Sequence, residues 1–359
     1  MKFVRVALDV PLEESFDFVS PPGVEIARGA LVIVPFGRSR KVGVVVGHAD
    51  HSDIPRQRLR QVESLVDDVA PFTPAELELF EFCASYYQRA LGEVIAASLP
   101  PRLRQVSRRR LAAPSAPAAA ARFTQPVTPS AEQAAAIAAV LDGRDRFHPV
   151  LLQGVTGSGK TEVYLHLIAD AIARGRQALM LVPEIGLTPQ FEDHVRERFP
   201  GTTLHAAHSN LAQGERAAAW LAAQSGAAQV VLGTRLAVLM PFRDLGLVIV
   251  DEEHDASYKQ QEGLRYSARD VAVRRMQRLG IPVVLGSATP SLESVANARD
   301  GRYVLARLDG RAAAGAAMPV IRTVDTRADK PQEGLSHALI LAMRERLARG
   351  EQSLVFLNR

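Results

Sequence analysis

Cysteine occurs once in the 359 residues, as Cys83. One thiol excludes an internal disulfide framework and any cysteine-built zinc site within this chain, and Cys83 reads as a small apolar residue in a helix. No apolar run approaches the roughly 20 residues of a membrane-spanning helix. The start Met1-Lys2-Phe3-Val4-Arg5 has no signal-peptide core, so a cytoplasmic protein without a membrane partner is the expectation. Lysine is also scarce: of 43 basic residues only Lys2, Lys41, Lys160, Lys259 and Lys330 are lysines. Hydrophobic residues make up 47% and charged ones 23%, which excludes disorder throughout and suits a packed protein of two or three domains. The net charge of +4 mildly favours polyanionic partners. No internal repeat is visible.

What is present begins with Gly154-Val155-Thr156-Gly157-Ser158-Gly159-Lys160-Thr161, an eight-position match to the loop that wraps nucleotide phosphates. Val150-Leu151-Leu152 reads as a buried strand before it and Glu162 to Ala173 as the helix after it. The glycines let the backbone close round the phosphates, and helix-start N–H groups point at the negative charge. Lys160 is placed to reach the β- and γ-phosphates and Thr161 to hold Mg²⁺. A compact ammonium fits that cradle and a planar guanidinium does not, so lysine survives here in a chain that otherwise uses arginine.

Phe3 to Leu8 alternates like a half-buried strand, and Leu31–Val34 and Val42–Val46 are β-branched runs around Pro35-Phe36-Gly37-Arg38-Ser39-Arg40-Lys41, together a small β-rich domain. Thr73, Pro74 and Glu76 open a helix carrying Leu77, Phe80 and Ala84. Arg102, Arg104, Arg108, Arg109 and Arg110 then crowd one segment, followed by an Ala/Pro/Ser stretch from Ala112 to Ala121. It reads equally as a linker whose basic flank touches nucleic-acid backbone or as a solvated charge run. Ser130-Ala131-Glu132-Gln133 is a capping box opening the helix to Leu141. Strands are then expected at Val150–Leu152, Ala178–Val182, Val230–Leu232, Leu247–Val250 and Val283–Leu285. Strands this apolar need helices on both faces, hence a parallel α/β sheet. After an Ala/Gly-rich connector, Gly310 to Ala317, a helix from about Ser336 to Leu347 precedes a strand at Ser353–Leu357.

About 90 residues beyond the phosphate loop, Leu247-Val248-Ile249-Val250 runs into Asp251-Glu252-Glu253-His254. Acidic groups at a strand's carboxyl end sit where ligands bind in open α/β sheets. Asp251 suits Mg²⁺, Glu252 the orientation and deprotonation of an attacking water, and His254 a relay to other segments. Pro183-Glu184-Ile185-Gly186-Leu187-Thr188-Pro189-Gln190, Gly233-Thr234-Arg235 and Gly286-Ser287-Ala288-Thr289-Pro290 follow further strands. Their hydroxyls and backbone donors suit phosphate oxygens of a nucleic-acid chain.

The ordered set of Gln133, the phosphate loop, PEIGLTPQ, GTR, DEEH and GSATP resembles superfamily 2 helicases. The longer strings Gly154–Tyr164, Leu181–Gln190, Asp251–Gln261 and Phe356–Arg359, with Val10-Pro11-Leu12 and Val34-Pro35-Phe36-Gly37, resemble the primosomal protein N′ family of replication-restart helicases. The resemblance implies a 3′→5′ DNA helicase using ATP and Mg²⁺, with Gln133 among the nucleotide-binding residues. It acts at abandoned forks, with forked or single-stranded DNA carrying a free 3′ end, primosome proteins and single-stranded DNA-binding protein as partners, and is expected to be a monomer. Residues 1–100 would form the 3′-end-binding domain, 101–128 the linker, 129–308 a RecA-like helicase lobe, and 309–359 a connector and the start of a second lobe. By their own pattern Phe16 reads as core and Asp17 as a turn residue. The resemblance instead has Phe16 stack on the terminal base and Asp17 accept from the 3′-hydroxyl, with Gly37 and Arg60 completing the pocket. In the segments that follow strands, Thr188, Thr234 and Arg235 are the expected DNA contacts. Tyr258, Lys259 and Tyr266 belong to an aromatic-rich loop that senses DNA, in which Leu264 replaces a tryptophan.

Two departures accompany the resemblance. Residues 101–128 are too few for the family's winged-helix domain. The chain stops at Asn358-Arg359, before the rest of the second lobe, its arginine finger and a cysteine-rich zinc insertion. Such a finger is worth about 10³–10⁵ in rate, so the chain is expected to be a fragment or truncated product that binds nucleotide but turns it over weakly or not at all. Two other readings stand beside it: a different superfamily 2 duplex translocase in recombination or restriction, and a non-catalytic fork-binding assembly module.

Overall fold

The computed structural model describes residues 2–55, 57–106, 123, 127–183, 189–310, 320–331 and 333–357. Most of the arginine-rich flank (Arg108, Arg109, Arg110), the Ala/Pro stretch and Thr188 lie outside them. The chain divides into two compact units, Met1–Ala313 and Ala314–Arg359.

The first unit opens with β1 (Phe3–Leu8), β2 (Phe16–Val19), β3 (Leu31–Phe36), β4 (Ser39–Ala49), β5 (Arg60–Gln61) and β6 (Ser64–Leu65), forming one sheet in the order β5-β2-β1-β4-β3-β6. The β3–β4 hairpin turns at Gly37, whose φ of +60° is the left-handed backbone that glycine adopts without penalty. Helices α1 (Pro74–Tyr86) and α2 (Leu91–Ser98) follow. Thr73 and Glu76 form the reciprocal capping box read from the sequence. At Gly92, α2 comes so close to β1 that any Cβ would collide with the carbonyl of Leu8.

The second half of this unit contains, in order, α3 (Ala131–Leu141), β7 (His148–Gly154), α4 (Lys160–Ala173), β8 (Gln177–Leu181), α5 (Pro189–Arg198), β9 (Leu204–Ala207), α6 (Gln213–Ser225), β10 (Val230–Gly233), β11 (Leu245–Val250), α7 (Ala268–Leu279), β12 (Pro282–Ser287), α8 (Leu292–Arg299) and β13 (Val304–Leu308). The seven strands run parallel in the order β13-β7-β12-β11-β8-β10-β9. β8, β10, β11 and β12 are buried along their whole length, as the apolar runs demand. The sheet therefore brings the carboxyl ends of β7, β8, β10, β11 and β12 to one edge. β9 and β13, at the two sheet edges, are additions to the expected strands.

One hydrophobic cluster runs through both halves, joining Phe72, Phe80 and Leu99 to Trp220, Leu239 and Met276. Phe72 meets Phe80 and Trp220 edge-on at 5.2 and 5.8 Å, and the Trp220 indole donates to the carbonyl of Ser98 at 2.8 Å. The β-rich part is thus fixed to the helical lobe by buried contacts, not by linker alone. In the second unit α9 (His337–Ala348) forms behind the Ser336 cap. Ser353–Leu357 forms no strand, contrary to expectation: Leu354 and Phe356 are 97% and 93% exposed, and a strand without a ladder partner has neither hydrogen bonds nor burial to hold it. Among the described residues no helix is long and apolar enough to cross a membrane.

Candidate functional site

The phosphate loop leaves β7 and enters α4 through left-handed glycines, Gly157 at φ +80° and Gly159 at +82°. Gly159 is the N-cap of α4 and supplies no side-chain cap, so the first amides of α4 have no intrahelical acceptor and face the loop. A side chain at Gly154 would strike Ser158 Oγ, and that buried hydroxyl has no partner. Uncapped amides, an orphaned hydroxyl and a lysine make a cradle for phosphate. Lys160 Nζ, 10% exposed, donates to the carbonyl of Gly154 at 3.0 Å and lies 3.5 Å from Glu252 Oε1.

Gln133 is buried and doubly engaged. Its Oε1 accepts from Ser130 N at 2.8 Å in the capping box, and its Nε2 donates to the carbonyls of Ser158 and Gly159 at 3.3 and 3.4 Å. It braces the phosphate loop from below, a contact the capping pattern alone does not reveal.

Asp251 emerges from β11 beside this cradle. Tyr164 OH donates to its Oδ1 at 2.8 Å, and Tyr258 OH donates to its main-chain carbonyl at 2.6 Å. Burial raises the Asp251 carboxyl above its usual range; the Tyr164 bond opposes this, Glu252 adds to it and Lys160 again opposes it. Burial, then the adjacent Asp251, pushes Tyr164 well above the ordinary phenol value, so it remains a donor. Glu252 takes a left-handed backbone, φ +44°, an uncommon state for a non-glycine residue that costs of order 1–3 kcal/mol and concentrates at functional sites. His254 bridges two segments: Nδ1 lies 2.7 Å from Ser287 Oγ and Nε2 3.3 Å from Thr289 Oγ1. Thr161 and Asp251 suit Mg²⁺, an ion that keeps several waters and takes few protein ligands. Among the described residues no group of three or more His, Cys, Asp or Glu could hold a metal.

Sequence reasoning gave no role of their own to Tyr164 and Glu253 and read Gly286 only as the start of a segment suited to phosphate oxygens. Glu253, 2% exposed, accepts from Ser291 N at 2.7 Å, Ser291 Oγ at 3.0 Å, Ser294 Oγ at 2.9 Å and Arg269 Nη1 at 3.2 Å. It thereby ties the DEEH turn to the start of α8 and to α7. The acidic run was the available signal for it; nothing local marks the other two.

At the strand-end candidate, Phe16 is half-buried and meets Phe36 edge-on at 5.1 Å. Asp17 accepts from Ser52 Oγ at 2.6 Å and lies 3.7 Å from Arg5 Nε. No atom lies within 4 Å of a Cβ built at Gly37. Arg60 pairs with Phe18 across β5 and β2 and is exposed.

Around the DEEH edge, Thr234 is buried and Arg235 Nη1 donates to the carbonyl of Ser257 at 2.8 Å. The aromatic-rich loop requires a correction. Tyr258 and Tyr266 are 2% and 1% exposed, and Leu264 is buried too. Their rings fill the space beneath the loop, and Tyr266 OH donates to the carbonyl of Arg235 at 3.1 Å. Buried rings offer no face to a base; Lys259, Gln261, Glu262 and Arg265 are what the loop exposes. Lys259 Nζ sits 5.4 Å over the Tyr87 ring of α1's far end.

Residues 5–100 match the 3'DNA-binding domain (3'BD) family, and residues 130–298 match the DEAD/DEAH box helicase family, which implies ATP and Mg²⁺. The replication restart protein PriA of Haemophilus influenzae is 35% identical over 431 residues, covering 100% of this chain and 59% of that protein. The protein of that name in Bacillus subtilis is 43% identical over 242 residues, 66% of this chain and 30% of that one. That of Rickettsia conorii is 33% identical over 365 residues, 100% of this chain and 54% of that one. The chain spans between half and three fifths of the length of the first and third of these relatives. With a strand-end-binding half fixed to a parallel-sheet lobe that carries the phosphate loop and DEEH turn, the chain belongs to the replication restart protein PriA family.

Proposed function

We propose that this chain is the strand-end-binding and nucleotide-binding part of an ATP-dependent 3′→5′ DNA helicase that recognises stalled or abandoned forks and starts primosome assembly. The observation that carries the reading is the Lys160–Glu252 contact at 3.5 Å beside Asp251. It joins the two halves of a phosphoryl-transfer site whose sequence segments lie about 90 residues apart.

In that reading Lys160 exchanges Glu252 for the β- and γ-phosphates, and Glu252, released, orients a water and takes its proton. Thr161 and Asp251 would hold Mg²⁺, which when bound offsets the phosphate charge. His254 carries the state of the DEEH turn to Ser287 and Thr289. At the other end, Phe16 and Phe36 offer aromatic surface to a terminal base, Asp17 accepts from the 3′-hydroxyl, and Gly37 leaves room for the backbone.

The test compares an oligonucleotide ending in a 3′-hydroxyl with the same strand ending in a 3′-phosphate, by fluorescence anisotropy. Tighter binding of the hydroxyl end is expected, since a phosphate would face Asp17. Equal binding would remove the restart assignment and leave another duplex translocase. In parallel, Lys160→Ala should lose ATP and ADP binding while keeping the strand-end preference.

A further inference from the structure

A run of cationic groups lies between the strand-end pocket and the GTR segment, and the function above does not use it. One cleft is lined by Asp9, Arg40, Lys41, Leu99 and Arg104. A second is lined by Leu99, His208, Arg216 and Leu236. Sharing Leu99, the two are neighbours along the seam between α2 and the helical lobe. The run begins at the pocket: Lys41 Nζ stands 5.9 Å from the centre of the Phe36 ring, which itself meets Phe16. It ends at Leu236, the residue after Arg235.

Its charges are poorly neutralised. Arg104 approaches Asp9 only to 4.0 Å and Arg40 approaches Glu63 to 3.7 Å, exposed pairs of a kind that contributes little. Lys41 is held by the main-chain oxygen of Asp9 at 3.2 Å. Among the described residues no carboxylate pairs with Arg102 or Arg216. Burial, and then the charge of Arg104, holds the Arg216 guanidinium below its usual range. Arg102 Nη1 reaches the start of α6, where it would lie 3.3 Å from a Cβ at Gly214. Like charges gathered with few and distant counterions destabilise the folded chain, and a polyanion laid between them removes that repulsion.

We propose that Arg102, Arg104 and Arg216 form a phosphate track that holds the backbone of a DNA single strand between the 3′-terminal pocket and the GTR segment. The proposal rests on the strand-end reading above. Single-stranded DNA is the occupant because the run starts at the aromatic pair and ends at a nucleic-acid segment. Guanidinium groups on a seam, with no base-reading side chains among them, would hold any sequence alike.

The test uses the whole chain and two probes, a 3′-hydroxyl trinucleotide that reaches only the pocket and a 3′-hydroxyl strand of about twelve nucleotides, within the size range of single-strand sites. Each phosphate contact on a single strand contributes roughly 0.7 to the slope of log affinity against log salt. Arg104→Ala/Arg216→Ala should weaken the long strand at least tenfold at low salt and flatten its slope by about 1.4, with trinucleotide competition unchanged. Arg104→Lys/Arg216→Lys should keep the slope. Should the alanine pair lower the melting temperature, Arg104→Gln alone, on an exposed side chain, gives the reading at half size. Unchanged slope and affinity would overturn the track, as would equal loss on both probes, which would assign the arginines to the pocket or the fold. A wild-type chain that bound neither probe would instead remove the strand-end reading itself.

Discussion

Tyr164, on the second turn of α4, donates to Asp251 at the end of β11 across 2.8 Å, from a side chain with no exposed surface. The carboxylate that suits Mg²⁺ is therefore aimed by the same helix that carries Lys160 and Thr161. Tyr164→Phe keeps the ring and removes the donor. One lost hydrogen bond to a charged group is worth about 1.5–3 kcal/mol. Mg²⁺-dependent ADP binding should weaken by roughly tenfold or more, while the Mg²⁺-free component stays as it was. Titration calorimetry with and without Mg²⁺ separates the two; equal Mg²⁺ enhancement in wild type and variant would remove the positioning role.

Gly286 in β12 makes room for that phenol. A Cβ there would lie 1.7 Å from Tyr164 OH and 2.8 Å from its Cζ. Gly286→Ala should cost about 1–3 kcal/mol as overpacking and displace the hydroxyl from Asp251. Gly286→Ala/Tyr164→Phe removes the closest clash and should recover part of that stability without recovering Mg²⁺-dependent binding. Urea unfolding of the three variants checks this; strictly additive costs would mean that the two positions do not meet.

These two residues show where sequence reading stops. The capping boxes at Thr73/Glu76 and Ser130/Gln133 and the strands leading into Gly154 and Asp251 were legible because each is decided within a few neighbouring residues. The Tyr164–Asp251 bond spans 87 positions, and the need for glycine at 286 exists only once the phenol is in place. Gln133 carried a visible cap but an invisible second bond to the phosphate loop. β9 and β13 are edge strands without a continuous buried run: one position of four is buried in Leu204–Ala207 and two of five in Val304–Leu308. The resemblance assigns Tyr258 and Tyr266 to a loop that senses DNA, yet their rings fill core beneath it.

Asp251 has a raised carboxyl, mainly through burial, so two pH trends follow with opposite readouts. Mg²⁺ needs the ionised form, hence the Mg²⁺-dependent part of nucleotide affinity should begin to fall at a higher pH than an ordinary aspartate would cause. A carboxyl raised in the folded state contributes stability that is fully present below its unfolded value and is lost as pH rises through its folded value. Asp251→Asn keeps an acceptor for Tyr164 and removes that loss. The variant should gain melting temperature at pH 7–8 relative to wild type and gain nothing near pH 4. A gain of the same size at both would dissociate the shift from folding.

Glu253 is a buried side chain whose two oxygens meet four donors, Arg269 among them. Oε1 takes the Ser291 amide and Oε2 takes two hydroxyls and the guanidinium, so either placement of an amide nitrogen sets donor against donor. Glu253→Gln should therefore cost about 2–3 kcal/mol despite its near-identical shape. Arg269→Ala should cost less, because three donors remain on the carboxylate and Arg269 also pairs with exposed Asp270 at 2.8 Å. The double variant should cost less than the sum, with a coupling of roughly 1 kcal/mol. Measured by urea unfolding, an additive pair would mean that Arg269 answers to Asp270 rather than Glu253. The tie from the DEEH turn to α7 would then run through Ser291 and Ser294 at the start of α8 alone.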